Sequence, residues 1–276
     1  MSIPVKPNSA LLLLAHGSTE NPDSSVPAWR HAGRLRSSGT FASVHCAFWK
    51  EEPGFRTVWP SIEEEEVYVV PLFVSEGWMT REIIPRELEL DGRTTRRGRH
   101  TIHYCDPMGN HESMTELLLQ RAHEVIRDTV SAADTSLLIV GHGTPRNRKS
   151  SEAIRNQVER IRNTGHPSDL TFAEVGEAFM EESPFVADWS TLTTSPNVVV
   201  VPFFISDGLH SYEDIPVLLG IESATRESAS RNEVFRHNPH ERDGRKLYYT
   251  SAIGSSPAIS EVILDQVASF DELYRR

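Results

Sequence analysis

The chain reads twice, and that repeat limits its possible folds more than any other feature. Residues 11–19 (LLLLAHGST) lie over 137–145 (LLIVGHGTP), which pairs His16 with His142. Residues 46–53 (CAFWKEEP) lie over 177–184 (EAFMEESP), and 69–85 (VVPLFVSEGWMTREIIP) over 200–216 (VVPFFISDGLHSYEDIP). Finally 103–118 lie over 248–263, with Gly109 on Gly254; the register lengthens chiefly across 222–246. Self-similarity on this scale means one structural plan used twice.

Each copy holds four short apolar runs, near 11–15, 43–49, 67–74 and 101–105, then 136–140, 170–179, 198–205 and 246–251. Runs of this length bounded by Gly or Pro read as buried strands, and their alternation with helical segments implies βαβ units and a parallel sheet. Residues 113–128 show apolar positions at helical spacing. Ser256 and Pro257 supply a cap and a first-turn proline for a helix over 258–270. Two similar α/β domains follow, 1–132 and 133–276, joined by the SAADT stretch at 131–135.

Composition narrows the class. At 276 residues, with 38% hydrophobic and 24% charged residues, the chain is an ordinary globular protein with no apolar stretch long enough to span a membrane. The first residues lack a signal-peptide pattern, so the expected location is cytoplasmic. A formal charge of −11 argues against nucleic-acid binding. Cys46 and Cys105 are too few and too scattered for a disulfide framework or a thiolate zinc site, and read as core residues.

The chemistry concentrates where the copies differ. His142, between glycines after a buried strand, falls at a carboxyl strand end, the rim where open α/β sheets bind ligands. His210 follows another strand, and its counterpart is Met79; Glu181 is matched by Lys50. Exchange of an acid for a base points to one half keeping the chemistry. Glu213 and Asp214 open a helix expected from Ser211, where acidic residues suit the helix dipole. Two imidazoles and a carboxylate make a site for a first-row divalent ion. Arg146, Arg148 and Lys149 form a basic loop after His142, whereas Arg93, Arg96, Arg97 and Arg99 read as a solvated turn. No GxxxxGK[ST] or GxGxxG follows a strand, so nucleotide-driven chemistry is not indicated.

Taken together, the HGS and HGT strand ends, AFMEESP, and VVPFFISDGLH with a later IP resemble the CbiX sirohydrochlorin chelatases, within the class II chelatase superfamily. The resemblance covers most of the chain, twice. It implies two flavodoxin-like α/β domains, each with a four-stranded mainly parallel sheet flanked by helices, and a cleft between them for a tetrapyrrole. It further implies that His142, His210 and Glu181 bind the metal and carry catalysis, with Glu181 a third ligand or a proton acceptor. His16, Met79, Arg146, Arg148 and Lys149 become candidates for substrate binding, since the tetrapyrrole is a polycarboxylate that needs cations nearby. The expected reaction is insertion of Co²⁺, or else Fe²⁺ or Ni²⁺, into sirohydrochlorin, with no cofactor beyond the metal substrate and with a monomer or homodimer sufficient. A non-catalytic metal or tetrapyrrole carrier is the rival reading. A histidine phosphotransfer enzyme would need an arginine before the histidine, where this chain has Ala15 and Gly141.

Overall fold

A computed structural model describes residues 3–144, 148–164, 170–222 and 233–275. The first half runs β1 (Lys6–Ala15), α1 (Val26–Ser38), β2 (Phe41–Phe48), β3 (Glu66–Pro71), α2 (Ile84–Leu88), β4 (Thr94–Arg97), β5 (His100–Tyr104) and α3 (Ser113–Ile126). The second runs β6 (Thr135–Gly141), α4 (Arg148–Asn163), β7 (Glu174–Phe179), α5 (Trp189–Leu192) and β8 (Asn197–Pro202). It continues through α6 (Ile215–Leu218), α7 (Glu233–Arg236), β9 (His240–Arg242) and β10 (Arg245–Tyr249) to α8 (Ile259–Tyr274).

Two sheets result, ordered β2-β1-β3-β5-β4 and β7-β6-β8-β10-β9. All eight expected strands are present and pair in parallel within their sheets. Each sheet nevertheless has five strands rather than four, because an antiparallel hairpin strand is added at one edge. In the first sheet that strand is β4, built from the arginine-rich stretch expected to be a solvated turn. Thr94 faces His103 and Arg97 faces His100, with the reversal at Gly98. Alternation along so short a strand carries little apolar signal, so the basic run concealed it. Charge on an exposed edge also deters pairing with another chain.

The central strands are apolar because both their faces are covered. Residues 10–14 of β1 and 198–201 of β8 are wholly buried, as is all of β6. Cys46 and Cys105 are buried and unpaired, as core residues should be; burial pushes the Cys46 thiol up to about 12 and the Cys105 thiol upward as well. Among the described residues, no helix is long and apolar enough to cross a membrane.

The chain separates into two compact units, and these do not follow the expected ranges 1–132 and 133–276. One unit comprises Met1–His111 with Pro257–Arg276, the other Glu112–Ser256. The two terminal helices of the repeats are thus exchanged. Helix α3 buries Met114, Leu117, Leu118, Ala122 and Ile126, and its main packing partners are β8, β10 and α4 of the second unit. Helix α8 packs in the first unit against α1 and β3. There Gln266 donates to the Pro107 carbonyl at 3.1 Å, and Asp271 takes Lys6 and Tyr68 at 2.5 and 2.7 Å. Because α3 and α8 are repeat equivalents with similar apolar stripes, either could cover either sheet, and periodicity cannot distinguish the two arrangements. Helix α8 starts at Ile259, with Ala258 rather than Ser256 at the N-cap position.

One close approach recurs in both units. A Cβ built on Gly109 would lie 1.6 Å from the Val74 carbonyl oxygen, and one on Gly254 would lie 2.2 Å from that of Ile205. These are matched residues in the repeat, and the contact locks the loop after β3 or β8 against the turn preceding the exchanged helix. Backbone cannot yield to a methyl group at such distances. Gly109→Ala and Gly254→Ala are therefore expected to lower stability by about 3 kcal/mol or more, near the upper end for single substitutions. Gly33→Ala, in open space on α1, should be neutral or stabilising by up to about 1 kcal/mol. Denaturant midpoints of the three variants measure the difference.

Candidate metal centre

In the second unit β6 lies between β7 and β8, so the strand order reverses around it and three parallel carboxyl ends open on one side. Gly141 stands beside Phe179, and Val140 beside Pro202. His142 therefore leaves β6 at the level where residues 180–182 leave β7 and residues 203–210 leave β8. Backbone hydrogen bonds fix the first two segments to each other: the amides of Met180 and Glu181 both donate to the His142 carbonyl at 3.0 Å.

The three side chains proposed from the sequence do converge. The His142 and His210 rings meet edge to face with centroids 5.1 Å apart, and His142 Nε2 lies 3.6 Å from Glu181 Oε1. All three remain solvent accessible, with side-chain exposures of 38% for His142, 43% for His210 and 55% for Glu181. An incoming ion or ligand can reach them. Among the described residues, no three His, Cys, Asp or Glu side chains are already gathered at coordinating positions. The set is open, and modest side-chain rotation would have to close it.

Hydrogen bonding settles the ring orientation. His142 Nδ1 lies 2.9 Å from the Gly143 carbonyl, which can only accept, so the ring donates through Nδ1. Gly143 makes this possible with φ of 64°, in the left-handed region, where a Cβ would also meet Phe179 Cβ at 2.6 Å and Glu182 Cγ at 2.8 Å. His210 Nδ1 lies 2.7 Å from the carboxylate oxygen Oδ2 of Asp214, to which it donates, and its ring packs on Phe204 at a centroid distance of 5.7 Å. In both neutral imidazoles the lone pair is consequently left on Nε2. Metal-binding histidines are commonly fixed in this way, by a partner on the second ring nitrogen.

Sequence reasoning missed two residues here. Asp214 was assigned to the helix dipole, in a regular helix starting at Ser211. The segment His210–Asp214 is instead a π turn leading into α6, and it brings residue 214 onto the His210 ring. The signal available was a histidine and an aspartate four residues apart on a helical turn. The second is Arg155 of α4, whose guanidinium covers the Phe179 ring at 5.3 Å and lies 4.0 and 3.9 Å from carboxylate oxygens of Glu177 and Glu182. Arg148 and Lys149 open α4, with Arg148 exposed; Arg146 lies outside the described residues.

The first unit keeps the scaffold without the ligands. His16 Nδ1 faces the Gly17 carbonyl at 2.8 Å, and Gly17 has φ of 67°. Lys50, exposed, replaces Glu181 and donates its amide to the His16 carbonyl at 2.9 Å. Met79 replaces His210 and packs against the core, while Ile83, buried, replaces Asp214.

Comparison with known proteins agrees with this architecture. The fold and the rim of ligand-type side chains define a chelatase-like pair of α/β units. A family model described as CbiX matches residues 10–125 and again 136–270, and the chain belongs to that family. It is 41% identical to a "Probable sirohydrochlorin cobaltochelatase" of Halobacterium salinarum, over 94% of this chain and 90% of that protein. A "Sirohydrochlorin cobaltochelatase" of Methanopyrus kandleri is 28% identical and aligns with 48% of this chain and 94% of its own length. Among solved structures, a multi-domain Deinococcus radiodurans protein described as similar to chelatases superposes with a TM-score of 0.77 at 25% identity. That match covers 94% of this chain and 54% of the other, so the chain spans about half that protein's length.

The ring orientations can be tested directly. At a pH above the histidine range, ¹⁵N chemical shifts of the imidazoles should report the Nδ1–H tautomer for both His142 and His210. A dominant Nε2–H form in either ring would contradict the hydrogen bonds described.

Proposed function

We propose that the protein inserts a divalent metal, Co²⁺ foremost, into sirohydrochlorin, and that His142, His210 and Glu181 of the second unit carry the reaction. One observation supports this most: two imidazoles with outward Nε2 lone pairs and a carboxylate meet at one strand-end rim, while the matched rim of the first unit has lost two of the three. The names of the related proteins support the same substrate class. Fe²⁺ and Ni²⁺ are chemically acceptable to the same ligands.

Metal insertion exchanges two pyrrole N–H protons for one divalent ion. His142 and His210 hold the ion through Nε2, which requires both rings neutral. Glu181 takes one of the two protons, a role supported by its exposed carboxylate 3.6 Å from His142 Nε2. The second pyrrole proton passes to solvent at the exposed rim, and once the ion has moved into the macrocycle the neutral imidazoles are released to take the next one. No cofactor besides the metal substrate enters this scheme. The polycarboxylate substrate needs cations, and Arg146, Arg148 and Lys149, which follow His142 in the sequence, are the proposed source. In the first unit His16 and the surface around Met79 serve the macrocycle rather than the metal.

Purified protein mixed with sirohydrochlorin and Co²⁺ should accelerate the absorbance change of metallation over the spontaneous rate. Co²⁺ binding without acceleration would favour a carrier instead. His210→Ala should abolish metallation and weaken Co²⁺ binding to a measurable residual affinity, whereas His16→Ala should leave Co²⁺ binding at the wild-type level; the opposite result would place the metal in the first unit.

A further inference from the structure

We infer that Asp214 is a positioning residue for the metal centre, acting through His210 to present Nε2. This rests on the reading of His142 and His210 as metal ligands.

The two imidazoles are not held alike. His142 donates Nδ1–H to a neutral carbonyl next to it in the chain, which any residue at position 143 could supply if the backbone allowed. His210 donates to a carboxylate, a charge-assisted bond at 2.7 Å that depends on one side chain. The carboxylate fixes the tautomer, fixes the ring plane together with Phe204, and adds a negative charge one ring away from the bound ion. Such partners commonly account for 10- to 100-fold in metal affinity.

A structural role for Asp214 is the competing explanation, and the repeat provides a control inside the same chain. The first unit builds the same π turn, Met79–Ile83, and runs from it into a helix. It does so with Met79 at the histidine position and Ile83 at the aspartate position. The turn therefore needs neither polar residue. Nor is Asp214 part of a core, since its side chain is 49% exposed, whereas Ile83 is 1% exposed. The histidine and its carboxylate are both present in one unit and both replaced by apolar residues in the other. A residue kept to begin the helix would have no reason to accompany the histidine.

The test is a double-mutant cycle read by Co²⁺ titration, using calorimetry and the visible absorption of the bound ion, without tetrapyrrole. Asp214→Ala should weaken Co²⁺ binding 10- to 100-fold while leaving the melting temperature of the metal-free protein unchanged. In the His210→Ala background, adding Asp214→Ala should produce no further loss, because the aspartate acts through a ring that is gone. Wild-type affinity in Asp214→Ala would overturn the inference. So would independent, multiplying losses, which would make Asp214 a ligand in its own right, or a loss matched by a fall in melting temperature. If the wild-type protein binds no Co²⁺ at all, the metal reading itself fails, and this inference with it.

Discussion

Everything functional in the second unit depends on β6 pairing in parallel with β7 on one side and β8 on the other. Parallel pairing in fixed register delivers three chain segments to the same edge of the sheet at the same height. The candidate ligands are residues 142, 181 and 210, far apart in sequence, yet none lies far from its strand end. Burial holds β6 and β8 in place: every residue of both is buried, so a shift along the sheet would draw polar loop residues into the core at one end and expose apolar ones at the other. The loops are then tied locally, by the His142 carbonyl accepting two amides from the β7 side and by the Ile205 carbonyl lying against Gly254. The metal centre inherits its rigidity from the sheet and the adaptability of its ligands from exposed side chains.

The first unit shows what that scaffold does when the ligands are absent. Its strands, positive-φ glycine and π turn persist, while Met79 adds its side chain to the core and Ile83 is buried. Burying an aliphatic side chain of this size is worth roughly 1.5–3 kcal/mol. The second unit forgoes that gain at two positions and leaves His210 and Asp214 partly exposed. Forgoing stability at matched positions in one copy only is the pattern expected of residues kept for chemistry rather than for folding.

Much of this was legible in the sequence because apolar runs report buried strands directly and the repeat doubles every signal. The eight parallel strands, the repeat and the three ligand candidates could all be located. What escaped depends on information that periodicity does not carry. The edge strand Thr94–Arg97 has no apolar face to announce it. The exchange of α3 and α8 leaves each helix with the same kind of stripe and changes only which sheet receives it. Asp214 reads as a helix-end charge when the helix is expected to start at Ser211; the helical turn instead begins at His210, which puts histidine and aspartate four residues apart on one face. Arg155 belongs to the site only through packing of α4 on Phe179, a tertiary contact with no local motif.

The carboxylates around the strand ends also resolve a conflict that composition alone poses. A chain of net charge −11 has to admit a cation and a polyanion to one place. Glu177, Glu181, Glu182 and Asp214 all lie near the rim, and unbalanced they would oppose an anionic macrocycle. Arg155 lies within about 4 Å of two of them, Glu177 and Glu182, on the β7 side. Glu181 and Asp214 are the two carboxylates directed at imidazoles. Arg155 thus offsets one of the two negative charges on the β7 side, and Glu181 and Asp214 stand where a divalent ion would offset them. Solvent and salt screen such charges beyond roughly a Debye length of 8–10 Å, so the balance that matters is this local one and not the net charge of the chain. With the ion in place most of the rim's negative charge is offset, which lowers the electrostatic objection to a polycarboxylate substrate without requiring a basic protein.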